Sequence, residues 1–212
     1  MSPSHRLVPA PPRPIDPLIH TWPAGQPCYR VHDRRFRAGQ FNPGPLPRTR
    51  FAFFADPPVQ VLYAGGAPEA AVAESVFHDV PITGGRVSGA AVRNRVLSTL
   101  EPVRDLRLAQ FNSGGLLRLG IKPRNLTDTE ADHYPRTVAW AHAVHNDTDL
   151  DGITWMSRRW NGSPALVLFG DRVDEHTLTI NDSLARSFIH PDHFEWLAAL
   201  GQQVNIQVMP PW

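Results

Sequence analysis

The sequence predicts an α/β (α+β) fold in one domain, with short strands interleaved with a few helices, and three observations lead there. The 212 residues suit one domain, or one domain plus a tail, and are enough to enclose a substantial core. Hydrophobic residues make up 42% and aromatics 9%, a globular rather than disordered composition. Apolar runs of strand length, bounded by Gly, Pro, Asn and Asp, alternate with stretches of helical spacing. No internal repeat of useful length is present, which argues against a solenoid.

Residues 1–27 are crowded with proline, including Pro9, Pro11, Pro12 and Pro14, and read as a tail or an arm in extended conformation laid over the domain. The domain proper is placed at residues 28–212. Its first strand is Cys28 to His32, followed by a loop in which Asn42-Pro43-Gly44-Pro45 and Pro47 supply turn chemistry. Arg50 to Ala55 and Val59 to Ala64 read as two strands joined by Asp56-Pro57-Pro58, with Gly65-Gly66 ending the second.

A helix is predicted from Pro68, a good first helical residue, to about Asp79, with Ala70, Ala73, Val76 and Phe77 as its buried stripe and Glu74 beside it. Strands follow at Arg86 to Ala91, Arg95 to Leu100 and Val103 to Leu106. The stretch from Asn112 to Asp132 fits no single pattern, and a second helix covers Thr137 to His145 with Pro135 at its start. Strands return at Gly152 to Met156, Ala165 to Phe169 and His176 to Ile180. A helix at Pro191 to Leu200 and a strand at Val204 to Val208 complete the reading.

A formal net charge of +1 calls for neither nucleic acid nor an anionic membrane. Lys122 is the sole lysine; the arginine bias could favour fork-shaped recognition of phosphate, but the plainer reading is a GC-rich genome. Cys28 is the sole cysteine, so an intrachain disulfide and a thiolate-rich metal site are ruled out, and a buried small hydrophobe is its default role. Met1 to Pro14 hold no signal-like apolar stretch and no run approaches a membrane span, so a cytoplasmic location is the expectation.

The residues able to carry chemistry are Arg30 in Tyr29-Arg30-Val31-His32, Tyr63 in Val61-Leu62-Tyr63-Ala64, Glu74 in Pro68-Glu69-Ala70-Ala71-Val72-Ala73-Glu74, and Ser157 at the end of Gly152-Ile153-Thr154-Trp155-Met156-Ser157. Taken singly, each has a plain structural reading. Most helical glutamates are solvated, an arginine in a strand pairs with a neighbour such as Asp33, and a tyrosine in an apolar strand is core. Arg34-Arg35-Phe36-Arg37 and Arg158-Arg159-Trp160 interleave basic and aromatic residues, as a single-stranded nucleic-acid surface does, but without the net charge such binders carry. His142 and His145 lack a carboxylate at ligand spacing, so no metal is expected. Glu74 and His78, four apart, could hydrogen-bond. Neither a Walker loop nor a Rossmann glycine fingerprint is present.

In their order and local sequence these motifs resemble the RES domain, a family named for its Arg, Glu and Ser and known as NAD-consuming toxins of toxin–antitoxin pairs. The resemblance covers about residues 28–173. It implies an ADP-ribosyltransferase-like fold, central mixed β-sheets flanked by helices, with a cleft for NAD+ as substrate and no metal. Carried onto this chain, Arg30 binds the pyrophosphate, Tyr63 packs on the nicotinamide side, Glu74 contacts the ribose and stabilises the developing cation, and Ser157 hydrogen-bonds nicotinamide or ribose.

Arg50 takes the place of the arginine in a Gly-Gly-Arg-Trp-Asn type motif, whose two glycines and asparagine are absent from Arg48-Thr49-Arg50-Phe51-Ala52. The implied activity is cleavage of the nicotinamide–ribose bond, with water or phosphate as acceptor. The alternatives are ADP-ribose transfer to a protein and a non-catalytic NAD- or partner-binding module. The implied partner is an Xre-type helix-turn-helix antitoxin that occludes the cleft; neither membrane nor direct nucleic-acid binding is expected.

Overall fold

The structure, a computed structural model, describes residues 8–44 and 49–212. Pro45, Pro47, Arg48 and the first residues of the proline-rich segment lie outside that range. The strands are β1 (Ile19–Trp22), β2 (Cys28–Asp33), β3 (Val61–Gly65), β4 (Gly85–Val87), β5 (Arg95–Pro102), β6 (Leu106–Gln110), β7 (Gly152–Met156), β8 (Pro164–Phe169), β9 (Leu178–Ser187) and β10 (Ile206–Val208). The α-helices are α1 (Pro68–Ala73), α2 (Gly89–Val92), α3 (Ser113–Arg118), α4 (Tyr134–Asp147) and α5 (Pro191–Gln203).

An eight-stranded mixed sheet runs β1-β6-β7-β8-β3-β2-β5-β9, and β10 and β4 form a separate parallel pair. Within the large sheet β6 and β7 are parallel and the other neighbours are antiparallel. The parallel pair needs a long crossover, and residues 111–151, with α3 and α4, provide it. The expected mixed sheet flanked by helices is thus present.

Side-chain alternation explains why the central strands are apolar throughout. Leu62 and Ala64 of β3 join Leu166 and Leu168 of β8 in one core with Trp22 and Leu106. Val61 of β3 and Ala165, Val167 and Phe169 of β8 face the opposite core, with Phe51, Phe111, Trp140 and Trp155. Period-2 geometry with helices or loops on both faces requires this. A third core packs α1 and α5 around Val72, Phe188 and Leu197.

The sheet splits between β2 and β3. β2 pairs with β5 along its whole length and β3 with β8 likewise, yet β2 and β3 share a single register pair, Tyr29 with Gly65. Beyond it Asn42, from the loop after β2, bridges to Val61 at the far end of β3. The candidate functional site lies in this split.

Several elements differ from the sequence reading for local reasons. The proline-rich segment is more than an overlying arm: its residues 19–22 form edge strand β1, and Val8 and Ile15 are buried. Arg50 to Ala55 is a tight turn, not a strand. Thr49 and Ala52 bond each other's backbone, and Phe51 N–H donates to the Tyr63 hydroxyl at 3.0 Å. Its apolar residues Phe51, Ala52 and Phe54 anchor the turn in the core.

α1 stops at Ala73 because Ser75 Oγ donates to the Ala71 carbonyl at 2.5 Å, a local bond that competes with continued helix. Val76 and Phe77 therefore reach the core from a turn. β4 ends at Val87, where Ser88 caps α2 and accepts from Ala91 N–H at 3.3 Å. The strand expected at Val103 to Leu106 starts at Leu106 instead, because β5 continues to Pro102.

Candidate functional site

A cavity of about 780 Å³ fills the opening between β2 and β3, within the range of small-molecule sites. Its walls include Arg30, Arg50, Tyr63, Glu74, His78 and Tyr134. Four of the five residues singled out from the sequence therefore line one space, although they come from two strands, a turn and a helix end.

Arg30 reaches in from β2. Its Nη1 donates to the carbonyls of Ala38 and Gln40, both at 2.6 Å, so the loop after β2 holds one limb of the guanidinium. Burial pushes its pKa down to about 10, still well above neutrality, so the cation persists. Among the described residues its other nitrogens make no hydrogen bond and are not buried. They are donors available to a ligand. Asp33, which the sequence offered as a partner, pairs instead with Arg35, at 3.0 Å.

Tyr63 faces the split from β3. Burial holds its phenol well above the usual range, so the hydroxyl is neutral; it shares a hydrogen with Thr49 Oγ1 at 2.8 Å besides accepting from Phe51 N–H. The hydroxyl fixes the 49–52 turn, and the ring packs edge-on to Trp155 with centroids 6.0 Å apart. That turn carries Arg50, which is 4% exposed. Arg50 Nη1 donates to the carbonyls of Thr127 and Thr129, and the guanidinium lies 5.5 Å from the Tyr134 ring centroid, in range for a cation–π contact.

Glu74 is the residue on which α1 ends. Oε1 accepts from Ser157 Oγ at 2.7 Å and from Arg158 N–H at 3.1 Å. Among the described residues Oε2 makes no hydrogen bond and is not buried. One carboxylate oxygen is thus fixed while the other is open. Ser157 is fully buried, and its Oγ also accepts from Trp160 N–H at 3.1 Å. The structure brings it to the back of the Glu74 carboxylate rather than to the open cavity.

The model of the RES domain matches residues 27–188, which contain every one of these side chains. The chain belongs to the RES domain family. Among curated proteins none matches it by sequence. A chain in the crystal structure of the M. tuberculosis MbcT–MbcA toxin–antitoxin complex is similar in fold, with a TM-score of 0.51 and 16% identity over 87% of this chain and 91% of that chain.

In this RES domain the glycine-poor segment is accommodated by burying Phe51 and Ala52, with Arg50 anchored by backbone carbonyls. One sequence expectation needs revision. Glu74 and His78 do not bond, because α1 ends before they can share a helical face; His78 bonds Asp79 and Tyr134. Arg158 pairs with Glu130, which holds that carboxyl below its ordinary range. His142 and His145 pack on Phe54, and no group of three or more His, Cys, Asp or Glu among the described residues could hold a metal. Cys28 is buried, its thiol pushed up to about 12 by burial. No helix among those residues is long and apolar enough to cross a membrane.

Sequence reasoning missed Tyr134 and Thr49. Tyr134 directly precedes Pro135, which marked the start of α4, and the helix takes Tyr134 in as its first residue. That position was the available signal.

Proposed function

We propose that this RES domain is the toxin of a toxin–antitoxin pair and cleaves the nicotinamide–ribose bond of NAD+. The observation that carries the reading is the Glu74 carboxylate, with Oε1 fixed by Ser157 and Arg158 and Oε2 open, in a cavity that also presents Arg30 and Arg50. Breaking an N-glycosidic bond builds positive charge on the ribose, and a carboxylate already oriented toward it stabilises the transition state more than the ground state. The free N–H groups of Arg30, with the Arg50 cation in the same cavity, suit a pyrophosphate, which guanidinium forks bind through paired charge-assisted bonds. Tyr63 offers ring surface for the nicotinamide.

Nicotinamide leaves as a neutral molecule, so departure needs no metal and no acid. The acceptor is water or phosphate in this reading. ADP-ribose transfer to a protein uses the same donor site and differs only in the acceptor. The toxin assignment draws on family membership and on the toxin–antitoxin complex among similar folds. It brings an Xre-type helix-turn-helix antitoxin as partner and a cytoplasmic setting.

Incubating purified protein with NAD+ and a chelator, then following nicotinamide by chromatography, tests the proposal. Nicotinamide and an ADP-ribose product are expected. A requirement for added zinc or magnesium, or cleavage of RNA with NAD+ left whole, contradicts it.

A further inference from the structure

If NAD+ is the substrate, one proton remains unassigned. An acceptor O–H that bonds to ribose C1′ must lose its hydrogen, and Glu74 is poorly placed to take it. Protonation of its open oxygen would remove the charge that stabilises the cation.

A second polar chain runs from the same cavity to solvent. The Tyr134 hydroxyl lies 2.8 Å from His78 Nε2, and His78 Nδ1 lies 2.8 Å from Asp79 Oδ1. Tyr134, His78 and Asp79 all line the cavity. The Asp79 side chain is 96% exposed and that of His78 31% exposed, whereas Tyr134 is buried.

The direction of these bonds follows from chemistry. An ionised carboxylate only accepts, so His78 carries its hydrogen on Nδ1 toward Asp79 and presents the Nε2 lone pair to Tyr134. Tyr134 therefore donates to His78, and its own oxygen lone pairs are left for another donor. The ring is held in place by its position at the start of α4 and by the Arg50 guanidinium above it. Glu74, Arg50 and Tyr134 line the same cavity; burial raises the pKa of the Tyr134 hydroxyl, with Arg50 lowering and Glu74 raising it to a lesser degree.

We propose that Tyr134 receives the acceptor's proton while passing its own to His78, which Asp79 orients and which releases the proton to solvent. This rests on the NAD+-cleavage reading. The balance is complete: the acceptor oxygen bonds to C1′, the C1′–N bond breaks with its electron pair leaving on nicotinamide, and the acceptor's hydrogen ends on the Tyr134 oxygen. The former Tyr134 hydrogen ends on His78 Nε2, giving an imidazolium beside Asp79. Tyr134 is then a catalytic residue, and His78 and Asp79 are positioning residues that act through it.

The test compares acceptors that carry a proton with one that does not. Wild type, Tyr134→Phe and His78→Gln are incubated with NAD+ in water, in dilute methanol and with azide, and ADP-ribose, its methyl glycoside and its azide are quantified. Phenylalanine keeps the ring beneath Arg50, and glutamine accepts a hydrogen bond but cannot take up a proton; thermal melts report the fold of each. Hydrolysis and methanolysis should fall by about a hundredfold or more in both variants, the scale of lost general-base help. Azide capture should stay within about threefold of wild type, because an anion has no proton to give up. The Michaelis constant for NAD+ should stay within about twofold, because the chain acts on the acceptor, not on substrate binding. Equal loss for all three acceptors, or no loss in either variant, overturns the relay while leaving NAD+ cleavage standing. A wild type that releases no nicotinamide with any acceptor overturns the parent reading, and the relay with it.

Discussion

Ser157 donates its hydroxyl hydrogen to Oε1 of Glu74 across 2.7 Å, joining residues 83 apart in the chain. The bond ties the end of β7 to the residue on which α1 stops. It leaves Glu74 one fixed and one open oxygen, which is what a carboxylate facing a developing cation requires.

Ser157→Ala should therefore lower kcat for nicotinamide release by roughly tenfold, in line with a charge-assisted bond of about 1.5–3 kcal/mol partly replaced by Arg158 N–H. The Michaelis constant should change less. Steady-state kinetics checks this, and unchanged kcat would separate Ser157 from the function of Glu74.

Arg30→Lys keeps charge and loses the fork. Arg30 holds the carbonyls of Ala38 and Gln40 at 2.6 Å while its other nitrogens remain open, so two effects should appear together. The Michaelis constant for NAD+ should rise by about tenfold, and stability should fall by about 1–2 kcal/mol, as hydrogen bonds to a charged group are lost. Kinetics alongside denaturant melts separates them. A stability loss with wild-type kinetics would make Arg30 purely a loop anchor.

Acid should destabilise the fold through His32. The ring is 8% exposed, its Nε2 lies 2.9 Å from Ser98 Oγ, and burial holds its pKa below the ordinary 6.5. Between the depressed folded value and 6.5 the unfolded chain binds a proton that the folded one refuses, so unfolding gains as pH falls. The contribution of neutral His32 is whole above about 6.5 and shrinks below it. Melting midpoints taken from pH 7.5 down to pH 5.5 should fall more steeply in wild type than in His32→Gln; parallel curves would contradict the assignment.

A chain shortened to begin at Cys28 should be much less stable than one beginning at Val8. The longer form keeps β1, with Trp22 at 1% exposure, and the bond from Trp140 Nε1 to the Pro9 carbonyl at 2.8 Å. Losing the Trp22 side chain alone should cost about 3–5 kcal/mol, and removing β1 bares the edge of β6. Equal unfolding midpoints for the two lengths would contradict the integral role of β1.

How much of this was legible in the sequence depends on how local each signal is. β2, β7, β8 and α5 were readable because apolar period and turn residues agree within each segment. Arg30, Tyr63 and Glu74 could be named because they stand at fixed places on such segments, next to residues resembling a known family. Arg50 was identified but misplaced on a strand: Phe51, Ala52, Phe53 and Phe54 look like a ladder, and nothing nearby shows that Tyr63 will take the Phe51 N–H. The split between β2 and β3 was invisible because register is settled by loops, here through Asn42 bonding Val61. Tyr134 and His78 are 56 residues apart, and no periodicity spans that distance.

The charge of Glu74 is the centre of the account. Glu74→Gln preserves size and lets the amide oxygen keep accepting from Ser157 and Arg158 N–H, while removing the anion. Nicotinamide release should then fall by roughly a hundredfold or more in kcat, with NAD+ affinity within about threefold, because only the transition state carries the positive charge that the anion stabilises. Single-turnover release of nicotinamide, measured with chelator present for wild type and Glu74→Gln at matched NAD+ occupancy, reads this directly. A rate in Glu74→Gln equal to that of the wild type contradicts it.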